Sequence, residues 1–584
     1  MIFTKDHITG NLFDPLDHLG PKRKKLMNDS WAGLFRKEIL LELPVDKIAP
    51  HFHAVFGRPT KELYATLGVL ILQQMNDYSD IETVHQMAFN LQWHYALDIT
   101  DKSDASTYIC PKTLWNFRHV VIEKELDTIL FNKITDKLAK VFSVNTDKQR
   151  LDSVHIKSNM RRLGRINIFA RCIRSFLVNL KRQEKELFET LPVELIERYF
   201  KKESIACFSM VKPSESEKTL TSLSNDLFSI VQSFKDNDEV NSMHTYKLLL
   251  RVLREQCTVT ESPEGGAIDV CVKPSCDVPS NSLQNPSDPD AGYSGHKGQG
   301  YQAQLMETYH TEEESKDIGK LNLITYVEVE PAHKSDANAL IPAIESTKES
   351  GLAPKEVLAD SLYGSDENCE AAKSMGVEVI SPTMGHSRED AISLSDFEIS
   401  ETGEIIRCPE GKTPTKIKIK MKKDRYNVAF NSEDCINCPK NTVCPTRQGK
   451  KRHYLRYTDK QLRIASRRIK EDEPEFKERY RYRSGIEATN SFYNTLTGVK
   501  YLRVRGLKAV RFCAILKAIG VNIFRATAVR MAVSDNKIVT EGIEPVLDNT
   551  ILVFRGQFRN ISNRLQQIWG HINADHEFRL KLAA

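Results

Sequence analysis

Along the first 140 residues the apolar positions return every three or four residues, the period of an amphipathic helix. Over residues 60–98 the pattern predicts two helices. Leu67, Leu70, Ile71 and Met75 mark the first. The second opens near Ser79 or Asp80 and carries Ile81, Val84, Met87 and Ala88, with the Asn76-Asp77-Tyr78-Ser79 turn between them. A third helix is expected over residues 112–127, with Leu114, Phe117, Val121 and Leu126 on its apolar face and Lys112, Arg118 and Lys124 outside it. Residues 1–140 therefore read as a helical domain.

Beyond residue 140 the period changes. A short apolar run at residues 151–156 carries Asp152 and gives way to the basic segment Asn159-Met-Arg-Arg-Leu-Gly-Arg165, a strand leaving into a loop or helix start. Helical spacing returns over residues 166–260, as at Ile173, Phe176, Leu177 and Leu180, and predicts an all-helical insertion. Glycines and prolines between 261 and 300 leave little to build a core, so a linker or a substrate-contacting loop is expected there. Strand-like alternation follows at 301–309 and 321–329, then a helix at 335–349, a short strand at 356–359 ending on Asp360, a helix at 367–374 and a strand at 377–380. This order predicts a mixed α/β layer with Asp152 and Asp360 at two of its strands.

Composition narrows the class. Of 584 residues, 40% are hydrophobic and 28% charged, which excludes wholesale disorder and suits about three or four packed domains. Lys5, Asp6, Asp14 and Asp17 interrupt any apolar leader, and no stretch approaches the roughly 20 apolar residues of a membrane span, so a cytoplasmic protein with no membrane partner is expected. A net charge of +5 tolerates a polyanionic partner without requiring one, so local clustering of charge must carry that argument. The twelve cysteines are spread along the chain and read as reduced thiols, with metal ligation where spacing is tight.

Two acids stand out by their surroundings. Val357-Leu-Ala-Asp-Ser-Leu-Tyr-Gly364 delivers Asp360 from an apolar strand to a glycine-containing turn, the kind of strand end at which α/β sheets bind ligands. In Tyr480-Arg-Tyr-Arg483-Ser-Gly-Ile-Glu487, about 100° of rotation per helical residue brings Arg483 and Glu487 onto the face of Tyr480. A carboxylate for a hard cation beside an arginine for a phosphate is an active-site pairing, although a surface ion pair has the same spacing. With Asp152, these acids form a set suited to phosphodiester chemistry, in which a pair of Mg²⁺ ions about 4 Å apart activates the nucleophile and stabilises the leaving oxygen.

The same residues resemble the DDE insertion-sequence transposases, in the lineage with an InsH-type helical N-terminal domain and a ribonuclease H-like catalytic domain. The N-terminal likeness rests on Gly57-Arg-Pro59, the helix through Leu67 and Gln73, Tyr78-Ser-Asp80, Asn90-Leu-Gln-Trp-His-Tyr-Ala-Leu97 and Thr113-Leu-Trp-Asn-Phe-Arg118. Leu151-Asp-Ser-Val-His-Ile-Lys-Ser-Asn159 is similar to the family's first-aspartate segment, and Ser287-Asp-Pro-Asp-Ala291 with Lys297-Gly-Gln-Gly-Tyr301 to its glycine-rich loop. Tyr480, Arg483 and Glu487 match the signature Tyr-x2-Arg-x3-Glu-x6-Lys; its last position is Asn494 here, and Lys500 lies beyond the expected helix end.

The resemblance implies an α/β, ribonuclease H-like mixed sheet flanked by helices over residues 145–525, interrupted by a helical insertion at 166–260 and a Cys/Lys-rich insertion at 385–465. It makes residues 1–140 a DNA-binding or assembly domain and leaves 526–584 without a readable role. It implies Asp152, Asp360 and Glu487 as catalytic ligands of Mg²⁺ or Mn²⁺. The partners would be double-stranded DNA, as terminal inverted repeats and as target, and a second copy of the chain at the nucleoid. Tyr480, Arg483, Asn494, Lys500, Arg503 and Arg505 are the expected DNA contacts.

Cys435-Ile-Asn-Cys438, Cys444 and the upstream Cys408 offer four thiolates for a structural Zn²⁺, the alternative being free thiols in a surface insertion. Around them run Lys416, Lys418, Lys420, Lys422, Lys423 and Arg425, then Arg447, Lys450, Lys451, Arg452 and Arg456. Phosphate neutralisation is one reading; the solvated face of a half-buried strand is the other. Two other functions also fit the residues: a transposase-derived repressor that binds DNA without cutting it, and a nuclease on the same scaffold lacking strand transfer. The presence of all three acids favours an active enzyme over the repressor, and the long insertion favours end recognition over simple cutting.

Overall fold

The computed structural model describes residues 1–9, 16, 18–261, 268–385, 391–400, 402–420 and 425–540. The chain divides into two compact units, Met1–Thr527 and Ala528–Ala584. The second is described only to residue 540, as helix; the rest of the 526–584 segment lies outside the described residues.

Helices occupy the start of the first unit as the apolar spacing predicts. The Leu63–Met75 helix is almost wholly buried, and the next, Asp80–Phe89, begins at a reciprocal cap in which Ser79 and Glu82 each bond the other's backbone. Ile81, expected on its apolar face, is exposed, because Thr83, Val84 and Met87 supply that face. The third helix spans Pro111–Glu123 and stops before residue 127: Glu125 adopts a left-handed backbone, φ 51°, and a separate helix, Leu126–Val141, follows.

The central sheet begins with β1 (Lys148–Lys157). The chain then makes a helical excursion with its own core around Phe176, Leu227, Tyr246 and Leu249, closed by the hairpin β2 (Cys257–Glu261) and β3 (Ile268–Val272). It returns through β4 (Gly292–Ser294), β5 (Gly298–Thr308), β6 (Ile324–Pro331), β7 (Glu356–Ala359) and β8 (Glu378–Ile380). Strand order is β4-β5-β1-β7-β8, with β6 on β5. β1 runs antiparallel to β5, with Asp152 opposite Leu305, and parallel to β7, with Leu151 opposite Ala359. Strand alternation then sorts the side chains: Leu151, Met306, Val357 and Ala359 pack beneath Leu340 and Ile344 of the Leu340–Glu349 helix, while Arg150 and Asp152 meet the Gly485–Thr497 helix on the other side.

The turn-rich segment before β4 is not a loose linker. Asp288, 1% exposed, accepts hydrogen bonds from Ser158, Tyr301 and the Gly506 amide, and Asp290 accepts from the Leu507 amide at the start of the Leu507–Thr540 helix. Buried acid side chains, together with Leu283 in the core of the helical excursion, hold this stretch, and hydropathy alone does not show the acids' part. Among the described residues one helix, Leu507–Asn536, is long and apolar enough to cross a membrane, against the expectation of none; 78% of its apolar window is buried in protein, as in a core helix.

After β8 come β9 (Glu398–Ile399) and β10 (Ile405–Arg407), which pair with each other, then β11 (Lys416–Lys420), β12 (Arg425–Asn431), β13 (Arg447–Gln448) and β14 (Arg452–Tyr457), an antiparallel sheet in the order β11-β12-β14-β13. It has its own core of Phe397, Ile405, Val428, Phe430, Leu455 and Tyr457. The following helix, Asp459–Glu471, opens at a capping box from Thr458 and Gln461.

Candidate active site

Asp152 and Asp360 reach one face because β1 and β7 are adjacent and parallel, and Asp360 is the first residue beyond the end of β7. Glu487 comes from the Gly485–Thr497 helix laid over that face. Tyr480, Arg483 and Glu487 do not ride on one continuous helix, as their spacing suggests. A helix ends at Tyr480, a 3₁₀ turn spans Arg481–Ser484, and a new helix starts at Gly485. The turn still delivers Arg483 to the acids: its guanidinium lies 3.5 Å from Asp152, 4.0 Å from Asp360 and 3.0 Å from Glu487.

The three carboxylates differ in exposure. Asp152 is the most enclosed, at 17%, against 46% for Asp360 and 67% for Glu487. Burial pushes the Asp152 carboxyl above the usual range; the Ser153 amide and Arg483 pull it back, and Asp336 and Asp360 push it up again. Asn490, one turn beyond Glu487, donates to Asp152 Oδ2 at 3.1 Å, while its own Oδ1 is buried without a partner, as is Arg483 Nε. Tyr480 is half-buried against Phe476, and burial raises its hydroxyl above the ordinary value.

Beneath the acids lies a charged network that the sequence pattern does not reveal. Glu307, fully buried on β5, takes Arg150 at 2.7 Å, Arg525 at 2.8 Å and the Thr489 hydroxyl at 2.8 Å. Arg150 also donates to the Tyr482 carbonyl at 2.7 Å, so one arginine ties β1 to the turn that carries Arg483. Gly485 permits this approach: a Cβ there would stand 2.0 Å from Arg150 Nη1. The available signal was a pair of charges, Arg150 and Glu307, inside runs that otherwise read as strand.

Other expected DNA contacts are engaged within the protein. Arg503 is bound by Asp77, with distances of 3.0 to 3.2 Å to its carbonyl and carboxylate. Asn494 accepts from the Lys500 amide at 3.3 Å and so closes the end of its own helix. The Lys500 carbonyl in turn accepts from the Lys157 amide. Arg505 remains exposed and has no partner among the described residues.

The cysteines gather on the small sheet, where Cys408, Cys435 and Cys444 lie against its core. Lys412 N–H donates to Cys408 Sγ and Thr446 Oγ1 to Cys444 Sγ, each at 3.3 Å. Burial pushes the Cys435 thiol up to about 11, with Cys444, Cys408 and Cys438 adding to it. Among the described residues no three His, Cys, Asp or Glu side chains are positioned to hold a metal ion, whether here or at the acids, where Arg483 occupies the middle.

Two family models match the chain: a "Transposase domain (DUF772)" over residues 33–120 and a "Transposase DDE domain" over residues 407–527. The chain belongs to the bacterial DDE insertion-sequence transposases. The second match contains Glu487 and Arg483 but neither aspartate, so in this transposase the pairing of Asp152 and Asp360 with Glu487 rests on the sheet. Comparison with curated proteins and with solved structures returned no match.

Proposed function

We propose that the transposase binds the terminal inverted repeats of its element and performs metal-dependent strand cleavage and strand transfer at Asp152, Asp360 and Glu487. The observation that carries this reading is the convergence of all three acids on Arg483 from two adjacent parallel strands and one helix. The ribonuclease H-like assignment is supported by the sheet itself, which has three antiparallel strands, β6, β5 and β1, followed by the parallel β7 and β8.

The donor set suits a hard divalent cation, Mg²⁺ or Mn²⁺. It consists of carboxylate oxygens, with the buried, unpartnered Asn490 Oδ1 beside Asp152. When bound, such a cation lowers the pKa of water or a sugar hydroxyl and neutralises charge on the leaving oxygen. The chain's own groups do the rest. Asn490 orients Asp152 through its amide. Arg483, freed from the carboxylates, has the planar donor fork that grips a phosphate. Arg150, Glu307 and Thr489 are positioning residues that fix the turn and the helix carrying Arg483 and Glu487.

In the same reading residues 1–140 serve end recognition and assembly, residues 145–525 the chemistry, and two copies of the chain hold two ends at the nucleoid. A structural Zn²⁺ at Cys408, Cys435, Cys438 and Cys444 rests on the spacing of the four thiols in the sequence: two ion pairs, Lys412 with Asp434 at 3.0 Å and Lys440 with Glu410 at 2.8 Å, join the Cys408 turn to the Cys435–Cys438 turn, but among the described residues the thiols are not gathered into a metal site.

The test is cleavage of a duplex carrying the repeats that flank the gene, with and without Mg²⁺, by wild type and Asp360→Ala. Metal-dependent nicking at the repeat ends, lost in the variant, is the expected result. End binding without cleavage by either protein would replace it with the repressor reading, and cutting without joining with the nuclease reading.

A further inference from the structure

The sheet β11-β12-β14-β13 has two unlike faces. Residues 417, 426, 428, 430, 455 and 457 point to its core, with Tyr426 and Tyr457 stacked across β12 and β14 at 4.7 Å. Strand alternation sends the intervening positions to the opposite face. The register aligns them in rows: Lys418 beside Asn427 and Arg456, and Lys416 beside Ala429, Tyr454 and Arg447. Arg425 and Arg452 extend the same face along β12 and β14. It carries six cations and no acid among the described residues. Lys416, Lys418, Arg425, Arg447 and Arg456 are exposed, and none of the six forms an ion pair with a described side chain.

This absence of counter-charge is local. Neighbouring cations off the face do find acids, Arg407 with Glu398, Lys412 with Asp434 and Lys440 with Glu410. A surface cation normally reduces its self-repulsion by such pairing, so six like charges on one flat face point to a polyanion as the missing partner. Along a strand, alternate residues repeat every ~6.8 Å and adjacent strands lie ~4.8 Å apart, so the face is a lattice of cations wide enough to lie against a duplex backbone.

The face is also held at the edge from which the acids project. β14 leads directly into the Asp459–Glu471 helix, whose Arg467 donates to the carbonyls of Gly364 and Ser381 at 2.9 and 3.1 Å, just after β7 and β8. Gly364 is needed at this junction, since a Cβ there would stand 2.2 Å from Ser381 Oγ and 3.0 Å from Arg467 Nη2. From the same helix, Arg463 is bidentate to Asp366, six residues beyond Asp360.

The geometry points to the lysine and arginine face of this sheet as a docking surface for the sugar-phosphate backbone of duplex DNA, held in register with the acid site by the Asp459–Glu471 helix. The inference rests on the transposase reading and adds to it a second DNA contact, which engages phosphates and is indifferent to sequence.

The test uses the full chain without divalent metal, so that nothing is cut, and follows binding to a duplex of arbitrary sequence by fluorescence anisotropy over a range of salt. Two quadruple variants are compared with wild type. One is K416Q/K418Q/R425Q/R456Q; the other is K201Q/K202Q/K218Q/K235Q, which removes as many exposed cations from the helical insertion. Loss of four phosphate contacts flattens the slope of log K against log salt by about 3 to 4. That flattening in the face variant, with the control slope within about one of wild type and both melting curves unchanged, is the expected result. An unchanged slope in the face variant, or equal flattening in the control, overturns the inference and leaves the transposase reading standing, since wild type still binds. Wild type failing to bind duplex at low salt overturns both. Tighter binding to polyglutamate than to duplex would make the occupant an acidic protein and overturn the DNA assignment.

Discussion

Arg483 sits where three acids would otherwise repel one another. Burial of Asp152 outweighs the pull of Arg483: with its pKa raised, the folded protein binds its proton more tightly than the unfolded chain does. The sign of the linkage follows. Ionised Asp152 costs stability at neutral pH, and the cost fades as pH falls through the raised folded value and is gone below the ordinary carboxylate value. Asp152→Asn is therefore expected to melt at a higher temperature than wild type at neutral pH, with the two curves converging in acid, while Mg²⁺-dependent nicking falls by more than about 100-fold. A melting temperature at neutral pH equal to or below wild type would show that Arg483 compensates Asp152 fully. Glu307 is the opposite case, an acid that is buried and fully paired. Removing it in Glu307→Ala leaves Arg150 and Arg525 without their shared carboxylate, and a loss of about 3–5 kcal/mol in denaturant unfolding is expected.

At the scale of elements, the segments that were legible in the sequence are those whose burial follows a simple period. The short strand at 356–359 and the helices beginning near residues 63 and 80 came from hydropathy spacing because apolar side chains alone decide them. What hydropathy did not show is held by polar bonds. The break between Tyr480 and Gly485 depends on Arg150 gripping the Tyr482 carbonyl, a contact 332 residues away in sequence that no local window contains. The clamp of Asp288 on Ser158, Tyr301 and Gly506 is of the same kind. So is the N-terminal strap, residues 1–9, where His7 is buried between Asp98 at 2.8 Å and Glu62 at 3.6 Å. Burial opposes its charge, but the Asp98 hydrogen bond and the nearby Glu62 carboxylate prevail and raise its pKa from 6.5 to about 9. A raised histidine stabilises the folded state fully below its unfolded value, and that contribution drains away as pH rises from 6.5 through about 9. Protection of the strap against proteolysis should weaken across that interval in wild type, and His7→Gln should abolish the pH dependence. A pH-independent cleavage rate in wild type would mean that His7 is uncharged in the fold.

Within residues 1–527 one turn residue joins the N-terminal helices to the acid-bearing segment. Asp77, in a left-handed backbone at φ 53°, ends the Leu63–Met75 helix region and takes Arg503 at 3.0 Å and Lys517 at 2.8 Å. Lys517 is 1% exposed, and its other partners are backbone carbonyls, those of Gln74 and Thr497; they come from the N-terminal helices and from the end of the helix bearing Glu487. A lysine this deep is penalised by desolvation, which lowers its pKa, and Asp77 is the one charge opposing that penalty at hydrogen-bond distance. The left-handed backbone adds a constraint, since asparagine accepts it as readily as aspartate does, so Asp77→Asn isolates the charge from the turn. Breaking a buried pair by removing one partner typically costs about 3–5 kcal/mol, and here the cost falls on the joint between the family-matched N-terminal segment and the acid-bearing helix. Asp77→Asn is therefore expected to split a single unfolding transition of residues 1–527 into two, with amide exchange accelerating first in the N-terminal helices, and to reduce nicking although every acid is intact. Retention of one cooperative transition with wild-type exchange would place the joint elsewhere, on the Arg511 contacts with Glu328 and Asp127 that bridge the Leu507–Thr540 helix, which also carries Lys517, to β6 and to Leu126–Val141.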